Sequence, residues 1–326
     1  MDSKISKINI PPFIIAVFSI LLCTGCFEEN KRIEVLQRES NIPSNAVKVL
    51  PKGDQYPPQI HSSEWENPVP VSGLVNSAGA EDSPFVTPDG KSLYFTFVPD
   101  VSVPPEKQLI DGVTGLYYSN LRNNSWGLPE RVILNDDLSL DGCECIQGTI
   151  MWFCSVREGN YREVDMYTAE LVNGKWVYWQ NAGERLNAEI GIGEMHITPD
   201  GNEIYFDSSR LGGKGGHDIW VTNKTNEKWQ DPINLESVNT DENEIRPFIT
   251  QDGNELWFSR RYLGSPAVYR SKKIDGMWGE PELIISQFAA EPSLDLYGNI
   301  FFAHHFFENG VMIEADIYVA YKISND

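Results

Sequence analysis

Ile197-Thr198-Pro199-Asp200-Gly201, then Ile204-Tyr205-Phe206-Asp207-Ser208-Ser209-Arg210, then Asp218-Ile219-Trp220-Val221 and Trp229-Gln230-Asp231-Pro232 make up one cassette of a repeat. In order, these are a tight turn, an aromatic strand, a further strand after a glycine-rich loop, and an edge strand ending in proline. The turn recurs at Thr87-Pro88-Asp89-Gly90, Ile146-Gln147-Gly148, Thr250-Gln251-Asp252-Gly253 and Leu296-Tyr297-Gly298-Asn299. Glycine, or Asn beside it, supplies the positive φ that a tight hairpin demands. A period of about fifty residues signals stacked or radial repeats.

After each turn comes a strand signal: Leu93-Tyr94-Phe95, Met151-Trp152-Phe153, Ile204-Tyr205-Phe206, Leu256-Trp257-Phe258 and Ile300-Phe301-Phe302. These strands are apolar on both faces, as expected where each sheet is sandwiched between neighbours. A third strand follows at Leu116-Tyr117-Tyr118, Met166-Tyr167-Thr168, Ile219-Trp220-Val221, Val268-Tyr269-Arg270 and Ile317-Tyr318-Val319. The outermost strand carries Trp126, Trp176, Trp229 or Trp278, and in three copies a proline three residues on, which an edge strand tolerates because a missing N–H is harmless there.

The last copy has no outer strand of its own, whereas Trp65-Glu66-Asn67-Pro68 carries that signature near the other end. Placing it beside the final sheet pairs both edges. The expected fold is all-β: a five-bladed β-propeller of four-stranded antiparallel blades over residues 60–326, closed by an N-terminal outer strand.

Pro199-Asp200-Gly201 with Ile204-Tyr205-Phe206 and Ser208-Ser209-Arg210, continued by Gly212-Gly213-Lys214-Gly215-Gly216 and Asp218-Ile219-Trp220, resembles the propeller repeat of the TolB-like class, a relative of WD-type repeats. The resemblance covers roughly residues 65–322, strongest in the third copy and weakest in the second. It implies a propeller and a periplasmic habit, and does not carry over TolB's own partners.

Lys4 and Lys7 precede an apolar run from Ile8 to Cys23, then Thr24-Gly25-Cys26. The run is shorter than a bilayer span, and its basic start fits an export signal. Thr24-Gly25-Cys26 resembles a bacterial lipobox, with Cys23 where Leu is usual; this implies a lipoprotein signal peptide over residues 1–25 and diacylglycerol on Cys26. The alternatives are an ordinary cleaved signal or an uncleaved anchor. Residues 26–59 are polar and proline-bearing, and read as a tether. The chain is expected in the cell envelope, on the outer membrane, facing the periplasm or the surface.

The formal charge of −21 repels nucleic acid and anionic lipid, so the membrane partner must be reached through acyl chains, and no nucleic-acid partner is expected. Cys143, Cys145 and Cys154 share one hairpin, which suits a staple or free thiols. No second Cys or His pair completes a zinc set there, so neither a metal nor another cofactor is expected.

In a propeller, residues well before the inner turn and residues just past the aromatic strand crowd one end of the central channel. The first group holds Glu81, Asp82, Glu194, Glu244, Arg246 and Glu291, with Glu144 nearer its turn; the second holds Arg157, Arg210, Arg260, Arg261, His304 and His305. One reading is inter-blade salt bridges, which any repeat would multiply. The other is a polar ligand site at the mouth, where carboxylates hold hydroxyls or a cation and arginines an anion. His304-His305 in place of Ser-Ser, and Arg246 in the register of Glu194, Glu291 and Ser83, are the departures that favour a site. Long connections at 98–115 and 306–315, with Leu109, Ile110, Phe306, Phe307, Val311 and Met312, are expected to form one raised lip.

Asp165, Asp218 and Asp316 recur just before the third strand and are read as caps for loop N–H groups. The glycine-rich 212–216 segment lacks the strand-to-helix context of a phosphate loop. The function expected is a binding or scaffold module for an envelope protein, peptide or glycan. The alternative is a glycosidase-like enzyme using the mouth carboxylates.

Overall fold

The structure is a computed structural model that describes residues 36–108, 111–134 and 139–324. It is all-β and of propeller type: the chain runs through successive antiparallel meanders, each starting on an inner strand and moving outward. The first consists of Ala80–Val86, Ser92–Val98 and Gly115–Arg122, with short outer pieces at Ser125–Trp126 and Glu130–Arg131. The second is Leu140–Gln147, Ile150–Val156, Asp165–Val172 and Lys175–Asn181; the third is Met195–Ile197, Glu203–Ser208, Asp218–Thr225 and the outer Lys228–Trp229 and Ile233–Asn234. The fourth is Glu244–Ile249, Glu255–Tyr262, Ser265–Ile274 and the outer Met277–Trp278 and Glu282–Ser286; the fifth is Ala289–Leu294, Ile300–Glu308 and Val311–Ala320.

Turn chemistry and strand burial follow the repeat. Thr87, Thr198 and Thr250 each donate to the aspartate two residues on, and Gly90, Gly201 and Gly253 take positive φ. Leu93, Phe95, Phe97, Phe153, Phe206 and Phe258 are fully buried between adjacent sheets, each such side chain worth about 2 kcal/mol of apolar burial.

The fifth meander receives its outer strand from the N-terminal side: Val69 and Pro70 pair with Val319 and Tyr318, and Trp65 bridges to Lys322. The same edge of Val311–Ala320 also touches the first meander through a parallel pair, Ala315 with Ala80. Trp65 is buried edge-on against Trp257, with ring centroids 5.5 Å apart.

Residues 36–59 depart from the expected free tether. They lie along the meanders, and Gln59–Ile60 adds a strand to Glu282–Ser286. The cause is unpaired charge: Lys48 bonds Glu314 and Asp316, Arg38 is buried near Glu81, and Asp54 reaches His304. Polar composition suggested solvent, but these charges are complementary to buried acids and a buried imidazole. The tether expected over residues 26–35 and Cys26 lie outside the described residues.

Candidate functional site

Four of the five inner strands carry a β-bulge, with register breaks between Asp82 and Phe85, Gly142 and Cys145, Ile245 and Phe248, and Ala290 and Ser293. At each bulge one residue takes positive φ: Ser83, Cys143, Arg246 and Glu291. A bulge re-aims a side chain away from the ladder, and these four, with Glu194 of the third meander, line one cavity of about 60 Å³ together with Glu144 and His196. Proline after Ser83, Arg246 and Glu291 is the sequence signal for this, because proline inside a sheet is confined to edges and bulges.

Arg246 is the hub. Its Nε lies 2.9 Å from Glu194 Oε2, its Nη1 pairs with Glu291 Oε1 and donates to Ser83 Oγ at 3.2 Å, and its backbone N–H donates to Asp207 Oδ2 at 3.1 Å. Beside it, His305 Nε2 lies 3.1 Å from Asp82 Oδ1. Burial would raise Asp82, yet the charge and hydrogen bond of His305, with Arg246 beyond, hold its carboxyl down at about 2. Burial raises Glu194 despite Arg246, and burial lifts Glu144 well above the ordinary carboxylate range. Both Glu144 oxygens and Glu291 Oε2 are buried without a partner.

The other sequence candidates lie elsewhere. Glu81 accepts hydrogen bonds from the Ser77 N–H and hydroxyl at 2.9 and 2.6 Å, and burial pushes it up to about 7 against Arg38. Glu244 is held the same way by Thr240 and by Arg260 Nε at 2.7 Å. Arg210 does not reach the channel: it stacks over Phe206 and Trp220 and bonds the Ile190 carbonyl. Arg157 and Arg260 likewise cover aromatics of their own meanders. Arg261 is exposed and lines a separate depression with Asp241, Glu242, Asn243 and, from the two inner strands of the fourth meander, Ile245 and Ser259. His304 is fully buried, 2.9 Å from Asp54 and edge-on to Phe306 and Tyr318. These side chains are engaged in contacts away from that cavity, because strand alternation and the register shifts at the bulges, more than nearness in sequence to the mouth, set where each one points.

Asp165 and Asp218 accept from loop N–H groups as expected, at Tyr161, Arg162, Lys214 and Gly215. Asp316 instead takes Lys48. The extension at 306–313 is a hairpin continuing the two strands, and Phe306 is buried in it; Leu109 and Ile110 lie outside the described residues. The three described cysteines are free thiols, and hydrogen bonding to Cys154, then burial, raises Cys143 well above its ordinary value. Glu144, placed near the mouth from its sequence position, does belong to the cluster, whereas sequence reasoning missed Cys143 and Asp207 as members.

No protein-family model matches this chain, and no curated relative does. Among solved structures it is similar to TolB from Acinetobacter baumannii, with a TM-score of 0.45 and 18% identity over 76% of this chain and 55% of that one. It is also similar to an endo-arabinase from Bacteroides thetaiotaomicron, with a TM-score of 0.47 and 15% identity over 79% of this chain and 97% of that one. The chain thus spans about half the length of that TolB protein. The fold itself rests on the strand pairings above. Among the described residues no helix is long and apolar enough to cross a membrane.

Proposed function

We propose that this chain is a five-bladed propeller of the cell envelope, held to the membrane by lipid on Cys26, that binds a protein, peptide or glycan at its channel mouth. Pairing of Val69–Pro70 with the last meander supports ring closure by an N-terminal outer strand. The ligand-facing residues are Asp82, Glu144, Glu194, Arg246, Glu291 and His305 of the groups proposed from sequence, with Cys143 added.

The observation that carries the reading is an excess of acceptors: buried carboxyl oxygens of Glu144 and Glu291 face the mouth with no donor. A buried acceptor left unpaired costs about 1–3 kcal/mol, and a hydroxyl- or ammonium-bearing ligand would recover it. The cavity of about 60 Å³ admits only the tip of such a ligand, since pockets that enclose a whole small molecule run to about 300 Å³ or more.

One observation favours the glycosidase reading. Burial raises the Glu144 carboxyl well above its ordinary range, the direction a general acid requires. A glycan array run beside a hydrolysis assay on plant and bacterial polysaccharides separates the two. Binding without turnover is expected; turnover that disappears in Glu194→Gln would establish the enzyme instead. For the anchor, Cys26→Ala should release the protein into the soluble periplasmic fraction, and unchanged membrane retention would refute lipidation.

A further inference from the structure

Asp82, Glu291 and His305 offer ligand atoms that all lie within 4.8 Å of one another. They come from three different strands: Asp82 from the inner strand of the first meander, Glu291 and His305 from the inner and second strands of the fifth. We propose that these three residues form a binding site for a divalent transition ion of the zinc class, with one coordination position left open toward the channel.

The donor set argues for that class of ion. One imidazole nitrogen with two carboxylate oxygens suits zinc and its neighbours, whereas magnesium and calcium prefer all-oxygen shells. Three protein ligands and an open fourth position is the arrangement of zinc sites that engage a further molecule. A tetrahedral ion with bonds of about 2 Å would draw the three atoms roughly 1.5 Å closer than their present limit of 4.8 Å. Asp82 and His305, both only partly buried, can supply that movement.

Acidic side chains alone would not justify a site, since exposed carboxylates commonly cluster without an ion. Here the surroundings favour a bound cation. Glu291 is 6% exposed; Arg246 occupies its Oε1, and its Oε2 has no partner. Independently, Glu144, also 6% exposed, lines the same cavity wall as Glu291 with both oxygens unpartnered. The charges nearby are Asp82, Glu194 and Glu291 against Arg246 and, when protonated, His305, so negative charge exceeds positive by one with His305 charged and by two with it neutral, as a metal ligand must be. Arg246 repels a second cation, but it is itself neutralised by Glu194 and Glu291. Of the three ligands Glu291 lines the cavity of about 60 Å³, and Asp82 directly precedes Ser83, which lines it too, so the cluster stands at the edge of that water-sized space. The site was invisible to motif reading because its ligands lie more than two hundred residues apart, from Asp82 to His305.

The inference deepens the reading of the channel mouth as a binding site, because an ion with an open position would coordinate a ligand oxygen or nitrogen. The test needs no such ligand. The purified chain from residue 27 onward, stripped with a chelator, is titrated with Zn2+ by calorimetry and with Co2+ by visible absorption. One equivalent is expected to bind, with a Co2+ spectrum of low coordination number. His305→Ala and Asp82→Asn should each weaken binding by at least about tenfold, a loss already seen on removing mere supporting groups at metal sites. His61→Ala, remote from the cluster and bonded to Ser286, should bind as the parent does. Circular dichroism and thermal melting establish that each variant is folded, and Glu291→Gln serves if either fails to fold. No saturable binding, or equal binding by His305→Ala and Asp82→Asn, would overturn the site. Metal binding without any glycan or peptide ligand would instead count against the function proposed above and leave the metal site standing.

Discussion

Arg38 lies over the Phe97 ring, 5.1 Å from its centroid, with Nη1 3.5 Å from the buried Glu81 carboxylate. In the fourth meander Arg260 holds the same relation to Phe258, at 5.2 Å, and to Glu244, at 2.7 Å. At the position of Arg260, opposite the buried glutamate, the first meander has Phe97 and no arginine of its own. An arginine from the N-terminal segment fills the vacancy, and it further bonds the Val75 and Leu74 carbonyls. The segment is thereby part of the repeat's packing and no loose tether.

Replacing Arg38 with Met should destabilise the fold by about 3 kcal/mol, because Glu81 is left buried without its cation. Hydrogen exchange should rise across residues 36–50 well before the inner strands respond. Unchanged exchange there would show that the docked segment is held by other contacts.

Arg246→Met should lower stability by a similar amount, about 3 kcal/mol, since Glu194 and Glu291 lose a shared partner. Urea unfolding reads the loss directly. Additional Glu291→Gln in the same chain should recover part of it, because one uncompensated charge is removed.

Trp65 is 3% exposed, donates from its indole N–H to the Gly298 carbonyl at 2.8 Å, and carries Arg270 over its face at 4.9 Å. Trp65→Ala should cost about 3–5 kcal/mol, the range for a large core aromatic. Trp65→Phe should cost far less, near the ~1 kcal/mol of one hydrogen bond. Equal losses in the two variants would mean that the hydrogen bond, rather than the packing, fastens this segment.

His196 is packed between Phe85 and Phe248, with ring centroids 5.9 and 4.4 Å away, and its Nδ1 accepts from the Ile249 N–H at 3.3 Å. Burial holds the imidazole down at about 3, whereas in the unfolded chain it takes a proton near 6.5. Between those values the unfolded chain binds the extra proton, so stability falls as pH drops from about 6.5 toward 3, by up to about 1.4 kcal/mol per pH unit. His196→Gln, which keeps an acceptor but does not titrate, should flatten this part of the stability profile measured by urea unfolding at successive pH values. An unchanged slope would assign the acid sensitivity to other groups.

The repeat, its turns, the aromatic strands and the tryptophan-bearing edge strands were determined by the sequence alone. Each depends on contacts within about ten residues, such as Thr198 with Asp200 or the positive φ of Gly201, and local chemistry writes such features directly into the chain. The membership of the site was decided only by the tertiary structure. Glu81 and Glu244 stand beside Asp82 and near Arg246 in sequence, yet they point into buried ion pairs, while the bulges at Arg246 and Glu291 turn those side chains toward the channel. Arg38 and Asp54 read as solvated tether because their partners, Glu81 and His304, lie 43 and 250 residues further along. Side-chain direction at a bulge, and charge pairing across distant strands, are set by the packing of the sheets against one another and leave no local periodicity to read.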